Sequence, residues 1–480
     1  MVGTQRKVGS GRAVARGVRL AVVTAMVGAL GAIASASPAA AVTVSPPQIV
    51  EPPSFVLEVA CATPTTCFAL VSVKGSLAGS GIVPIINGVV GEPQTLPVGY
   101  GISRIVCPSA STCVAYGTYQ EPGSRANPII PQTVVITDGV LGTPQPTPGG
   151  FGFFDVACSS ATTCVGLTAV QGFGQAAVVI TDGVPGSPQF FPEEVSGIND
   201  VACTTTACYV VGETPPSPEN PDFIGNPQPF GVVVPIVDGV MGAPQVAPGT
   251  TNLYRVACGG ATTCYALGPS SDVFVSTPML VPIVDGTPGT PQPVNGVDVI
   301  TAIACLDATT CEAVGFLYDP ETNSSSGFVL PIVNGIAGQV TLVPGTNALD
   351  YIACVAPNCV ATGSVIVPAP DFTTGLVVAI TEQADAPSTL TCTTRTNNAG
   401  TLIDVCTVSD PDGIRSVQVR NTSTNASQAS LAFGCSDTPT TSAKFRVPAG
   451  TRYRVVVNDC SDPRVKSTFV VRANGSVNQV

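Results

Sequence analysis

None of the 480 residues is His or Trp, so the chemistry open to this chain is that of carboxylates, arginines, tyrosines and thiols. Ser-His-Asp and Cys-His nucleophiles are excluded, as are HExxH and Cys2His2 zinc sites and any histidine general base. Paired carboxylates survive this filter, because two Asp or Glu side chains about 5–9.5 Å apart can hydrolyse a glycosidic bond unaided. The candidates recur with a regular spacing. Seven close cysteine pairs run through the chain: Cys61/Cys67, Cys107/Cys113, Cys158/Cys164, Cys203/Cys208, Cys258/Cys264, Cys305/Cys311 and Cys354/Cys359. Three residues before each first cysteine stand Glu58, Arg104, Asp155, Asp200, Arg255, Ala302 and Tyr351.

The elements that must position these residues follow from the repeat. First cysteines are 46, 51, 45, 55, 47 and 49 residues apart, a period that suits propeller blades or solenoid coils. A short apolar strand such as Leu253–Ala257 precedes the first Cys, and a second such as Tyr265–Gly268 follows the second Cys. A third, such as Val233–Val237, ends in an N-G or D-G dipeptide at Asn87, Asp138, Asp182, Asp238, Asp285 and Asn334. These are strong hairpin signals, and a fourth strand follows, usually through G-x-P-Q. Four antiparallel strands per unit and seven units predict an all-β, seven-bladed propeller. The seventh unit lacks its fourth strand, whereas Ser45–Val50 resembles one and stands ahead of the first unit. The N-terminal strand is therefore predicted to complete blade seven and close the ring.

In this arrangement each cysteine pair faces across the hairpin of the first two strands, where Cα atoms lie about 4.5–5.5 Å apart. Such a staple is worth roughly 2 kcal/mol on the chain-entropy model. A redox dithiol and metal ligation are the alternatives, and sevenfold repetition favours the structural role. The repeat V-A-C…T-T-C-x-A-x-G, followed by D-G-x-x-G, resembles the blades of secreted bacterial propellers related to Asp-box (BNR) proteins. Their turn between the third and fourth strands reads S-x-D-x-G-x-T-W. Thr137-Asp138-Gly139 and Thr181-Asp182-Gly183 keep the Asp, while every Trp is missing. The resemblance spans about residues 45–382 and implies the propeller fold. That family holds sialidases and many non-enzymes, so it implies no activity.

On the first strand, the residue five before each first Cys is apolar and the residue one before is Ala or Val. Strict alternation places both on one face with the charged position, near the propeller axis. Arg104 then stands between Glu58 and Asp155, and Arg255 beside Asp200. One reading is a channel-lining site for a polar ligand. The other, favoured by the neighbouring opposite charges, is a set of inter-blade ion pairs fixing register. A sialidase-like site would have to draft Arg104, Arg255 and Tyr351, which blade spacing does not bring together. Blade four supplies the longest loop, Glu213 to Gly231. Glu193, Glu194, Glu213, Glu219 and Asp222 could form an acidic patch there for calcium or a cationic partner. No EF-hand or RTX spacing supports a specific metal, and a solvated surface is the favoured reading.

Residues 1–41 carry five basic residues, an apolar run from Leu20 to Ile33 and Ala39-Ala40-Ala41, the order of a cleaved secretory signal. No later run is long enough to span a bilayer as a helix. Without those residues the chain is net −17, split between −21 over residues 42–387 and +4 over residues 388–480. The acidic body argues against nucleic acid as partner. Residues 42–387 are read as the propeller. Residues 388–480 resemble an immunoglobulin-like β-sandwich, with Cys392–Cys406 and Cys435–Cys460 as the simplest of three pairings. Lys444, Arg446, Arg452 and Arg454 flank the Pro448-Ala449-Gly450 turn with period two, so all four can share one exposed face. That face could hold an anionic wall polymer or dock on the acidic propeller, with a plain solvated sheet face the favoured reading. The expectation is a secreted, non-catalytic binding or scaffold protein without a cofactor, its ligand a glycan, a cell-wall polymer or a protein. The alternative is a glycosidase, sialidase-like or other, working with carboxylates alone.

Overall fold

The computed structural model describes residues 42–51, 54–73, 80–121, 128–221, 226–271, 277–366, 374–382, 389–396, 399–409, 414–433, 442–459, 466–472 and 477–479. Residues 1–41, anticipated as a secretory signal, lie outside them, as do Asp222, Cys435, Cys460 and residues 383–388. Seven sheets carry the repeat, each running first strand, second, third and then an outer strand in two short pieces. Blade one shows the plan: Ser54–Thr63, Thr66–Val73, Ser80–Ile86, then Val89–Val90 and Gln94–Thr95. First strands of successive blades neighbour one another around the axis, and the seventh neighbours the first. The chain is a seven-bladed β-propeller.

In blades one to six the third strand turns into the outer strand through two residues of positive φ, as at Asn87 (50°) and Gly88 (75°). This is the type I′ geometry that N-G and D-G supply at little steric cost. The outer strand then breaks, at G-x-P in blades one to five and at Gly338-Gln339-Val340 in blade six. Gly91 donates its N–H to Pro84 O, and equivalent bonds join Gly242 to Pro235, Gly289 to Pro282 and Gly338 to Pro331. Those third-strand prolines lack a ladder donor. They are tolerated because the outer strand is unpaired opposite them, as Pro84 is between the Ile82↔Gln94 and Ile85↔Val90 pairs.

Blade seven is completed from the N-terminus. Val42, Thr43 and Val44 pair with Glu382, Thr381 and Ile380, and Gln48 and Ile49 pair with Val377 and Leu376. The P-Q glutamine adds a bracket between blades. Gln48, Gln94 and Gln189 each donate to the turn-glycine carbonyl of the next blade (Gly88, Gly139, Gly239) and accept from Val90, Leu141 and Met241. The core lies between blades: Phe68, Leu70 and Ile82 of blade one pack on Ile102, Ile105 and Ile136 of blade two.

All seven hairpin disulfides are formed: Cys61–Cys67, Cys107–Cys113, Cys158–Cys164, Cys203–Cys208, Cys258–Cys264, Cys305–Cys311 and Cys354–Cys359. Their Cα atoms are 3.8–4.0 Å apart, closer than the spacing anticipated from an open ladder. The ladder hydrogen bond falls one residue inside the pair, as in Ser159 N–H to Thr163 O. The cysteines therefore occupy a non-hydrogen-bonded position, where side chains approach most closely.

The two halves of each staple are not equivalent, which the even spacing did not reveal. Cys67, Cys113, Cys164, Cys208, Cys264, Cys311 and Cys359 are all buried, whereas their first-strand partners are half-buried. The second strand lies inside its sheet, between the first and third, and is covered by neighbouring blades. Cys113 accordingly belongs to the core between blades one and two, and Cys264 to that between blades four and five. The first strand borders the axis. These seven second cysteines are thus core residues rather than parts of a reactive or ligand-binding site. In the C-terminal region Cys392–Cys406 is formed as well, and there too Cys406 is the buried partner.

Beyond residue 388 two sheets share one core. Thr389–Thr396, Leu402–Ser409 and Ser442–Pro448 form one. Ser427–Ala432, Ile414–Asn421, Tyr453–Asp459, Lys466–Val471 and Val477–Gln479 form the other. Phe445 and Val447 of the first meet Val417, Val455 and Phe469 of the second. Lys444 and Arg446 thus belong to one sheet and Arg454 to the other. The expected single basic face does not form, because inward packing of both sheets turns these side chains to opposite outer faces.

Candidate functional site

The first strands depart from strict alternation, and this decides where the candidate residues point. Six carry a bulge between the fifth and third residues before Cys: Val56/Glu58, Ile102/Arg104, Phe153/Asp155, Ile198/Asp200, Ile300/Ala302 and Leu349/Tyr351. Ile102 pairs with Gly117, but Arg104 pairs with Tyr116, so the apolar and charged positions lie on opposite faces. This corrects the one-face expectation. The extra residue, four before Cys, is turned toward the next blade.

Two hydrogen-bond ladders follow. Carboxylates at the charged position accept an N–H from the next blade's first strand: Ile105 to Glu58 (2.6 Å), Val201 to Asp155 (2.7 Å) and Val256 to Asp200 (2.6 Å). Asp155 also accepts from Val156, 2.9 Å away. Residues four before Cys donate to the next blade's carbonyls: Asn199 to Leu253, Tyr254 to Ile300 and Thr301 to Leu349.

The structure gathers Glu58, Arg104, Asp155, Asp200 and Arg255 along the axis. Arg104 Nε lies 4.0 Å from Glu58 and 3.9 Å from Asp155, and its guanidinium donates to Ser103 O. Arg255 likewise donates to Tyr254 O, and its charge acts on Asp200. Burial pushes the Glu58 carboxyl up to about 8 against the opposing pull of Arg104. Asp155 is raised by burial, and Asp200 is raised well above the carboxylate range by burial and the adjacent Asp155.

At one mouth of the channel a cavity of about 560 Å³ opens between blades five, six, seven and one. Tyr254, Arg255, Asp298, Thr301, Asp350 and Tyr351 supply its polar lining, and Val56 and two prolines its apolar walls. Arg255 and Tyr351 therefore do meet, without Arg104. Asp298 accepts the Tyr318 N–H, whereas burial raises the Asp350 carboxyl. Sequence reasoning missed Tyr254, Asp298, Thr301 and Asp350. Tyr254, Thr301 and Asp350 stand four before Cys, a position that strict alternation had turned away from the neighbouring blade.

Glu193, Glu194 and Glu219 are exposed, and Glu213 is half-buried. Glu219 lies on a two-stranded ribbon, Ser217–Pro221 with Pro227–Gln228, inside the segment anticipated as a loop. Among the described residues no three Cys, Asp or Glu side chains come together as metal ligands. Among those residues, no helix is long and apolar enough to cross a membrane.

No protein-family model and no curated protein matches the chain. Solved structures do. The WD40 β-propeller domain of Doa1 is 9% identical, covering 71% of this chain and 97% of that one at a TM-score of 0.44. The β-propeller domain of the Trilobed protease from Pyrococcus furiosus is 8% identical, with 69% and 96% covered and a TM-score of 0.44. Prolyl oligopeptidase B from Galerina marginata is 9% identical at a TM-score of 0.40. That likeness covers 78% of this chain but only 56% of the other, so the chain spans little more than half its length. At these identities the likeness is one of fold.

Proposed function

We propose that the chain is a secreted, non-catalytic binding or scaffold protein whose ligand enters the channel-mouth cavity. The observation that carries this reading is the engagement of the axial carboxylates. Glu58, Asp155 and Asp200 each accept an N–H from the next blade, which makes them part of the scaffold. The cavity retains Arg255, the Tyr351 ring and Asp350, which makes no hydrogen bond among the described residues, between apolar walls. That lining suits a polyhydroxylated ligand such as a glycan. Residues 388–480 form the second surface in this reading. Their strand order, with the third sheet strand coming late in sequence, supports an immunoglobulin-like sandwich divided from the propeller at 387/388. The hairpin disulfides, Cys392–Cys406 and the signal-like leader support secretion.

The competing reading, a carboxylate-only glycosidase, draws on Asp298 and Asp350 lining one cavity. A glycan panel assayed for both binding and hydrolysis separates the two. Binding without turnover, weakened about tenfold or more by Asp350→Asn or Arg255→Gln, is the expected result. Turnover abolished by Asp350→Asn or Asp298→Asn would overturn it.

A further inference from the structure

The outer face of the five-stranded sheet in residues 388–480 carries an arrangement that folding does not favour. Arg420 and Arg454 are directly opposed across neighbouring strands, and both are exposed. Val417 and Val419 on one strand and Tyr453, Val455 and Val457 on the other are buried, which fixes the two arginines outward. Arg452 is exposed at the head of the same strand, two residues before Arg454, and therefore on the same side. Like charges directly opposed across a sheet are destabilising. Among the described residues neither Arg420 nor Arg454 has an ion-pair partner, and no residue of this sheet described as exposed is Asp or Glu. The remaining outward positions are largely small or polar: Ser416, Gln418, Ser430 and Asn458.

A face of this kind is complementary to an anion. The guanidinium fork matches an oxyanion with two parallel hydrogen bonds, and adjacent forks match closely spaced oxyanions. The hydroxyl and amide groups beside them match alcohols. We propose that this face binds a polyol-phosphate polymer, with Arg420, Arg452 and Arg454 on its phosphates and Gln418 and Ser430 on its hydroxyls. The inference rests on the reading of the chain as an extracellular binding protein, but it uses a surface apart from the propeller cavity.

Titration of the full chain with poly(glycerol phosphate) between 50 and 200 mM salt tests it. Three phosphates neutralised along a flexible chain correspond to a slope of log K against log salt of about −2. Arg420→Gln/Arg454→Gln should weaken binding at least tenfold and bring the slope to roughly −0.7, since one phosphate contact remains. Its melting temperature should stay level or rise, because a like-charge pair is removed. Gln418→Ala should weaken poly(glycerol phosphate) but not inorganic polyphosphate. Unchanged binding by the double variant overturns the proposal. So does binding of polyphosphate or heparin as tight as that of the polyol phosphate, which would reduce the face to non-selective charge. Salt-sensitive self-association in sedimentation, lost in the double variant, would assign the face to a second copy's acidic propeller instead. Failure here with glycan binding intact, and still sensitive to Asp350→Asn, leaves the propeller reading standing.

Discussion

At the scale of residues, the axial carboxylates are better described as acceptors of inter-blade hydrogen bonds than as members of ion pairs. Removing one partner of a fully buried ion pair costs about 3–5 kcal/mol, but Arg104 is not fully buried. Its side chain is 32% exposed and its two carboxylate contacts are long. The cost of Arg104→Ala should be about 1 kcal/mol at pH 8, in the range of partly exposed pairs. The sign with pH follows from the raised carboxyls. Glu58, Asp155 and Asp200 are held above their unfolded values, so their contribution is greatest in acid and is lost as pH rises. For Glu58 that loss runs from about 4.5 up through about 8. The melting temperature should therefore be higher at pH 5 than at pH 8. Glu58→Gln should flatten part of this dependence, and the cost of Arg104→Ala should shrink at pH 5. A melting temperature that falls on acidification to pH 5 would contradict the assignment.

At the scale of elements, four of the six bulged first strands meet a glycine on the second strand. The bulge presses the first strand's backbone onto the second where Gly117, Gly212, Gly315 and Gly363 stand in blades two, four, six and seven. A Cβ there would lie 1.8 Å from Gly101 O at Gly117 and 2.0 Å from Gly197 O at Gly212. The neighbour is backbone held in the ladder, so it cannot swing aside. Gly117→Ala and Gly212→Ala should each cost about 3 kcal/mol, at the upper end of overpacking, while the hairpin disulfide still forms. Chemical denaturation read by near-ultraviolet circular dichroism measures this. A cost below about 1 kcal/mol would mean that the bulge relaxes freely, and that the two inter-blade ladders are not anchored by it.

At the scale of the whole molecule, closure depends on residues 42–50. They supply the outer strand of blade seven, and Gln48 brackets blade seven to blade one through Gly88 and Val90. Val50, fully buried, joins the core between those blades. Deleting 42–50 removes this ladder and opens an edge strand. The expected loss is several kcal/mol, on the order of 1 kcal/mol for each bond, with dye-accessible apolar surface and a tendency to associate through the bared strand. Restoring the segment as a peptide should recover the melting temperature. An intact melting temperature after deletion would show that the ring holds without its N-terminal strand.

The propeller was legible because its signals are local. N-G and D-G fix a turn by φ alone, cysteine pairs fix a hairpin, and the displaced Pro-Gln segment revealed which strand closes the ring. Which sulfur of each pair enters the core was not legible, since that depends on the blade packed against it. The side-chain directions at the axis were not legible either, because period two holds only where each residue has one partner. A bulge adds a residue without leaving a mark in hydrophobicity; a second-strand glycine stands opposite it in only four of the six bulged blades. That shift hid Tyr254, Thr301 and Asp350 from the candidate site and gave Glu58, Asp155 and Asp200 their inter-blade partners. The basic residues around the Pro448-Ala449-Gly450 turn show the same division. Their spacing determined that Lys444 and Arg446, like Arg452 and Arg454, point outward from a strand. Only the tertiary structure decided that the turn passes from one sheet to the other, because which strand lies beside which is settled by packing over a shared core and not by neighbours in the chain.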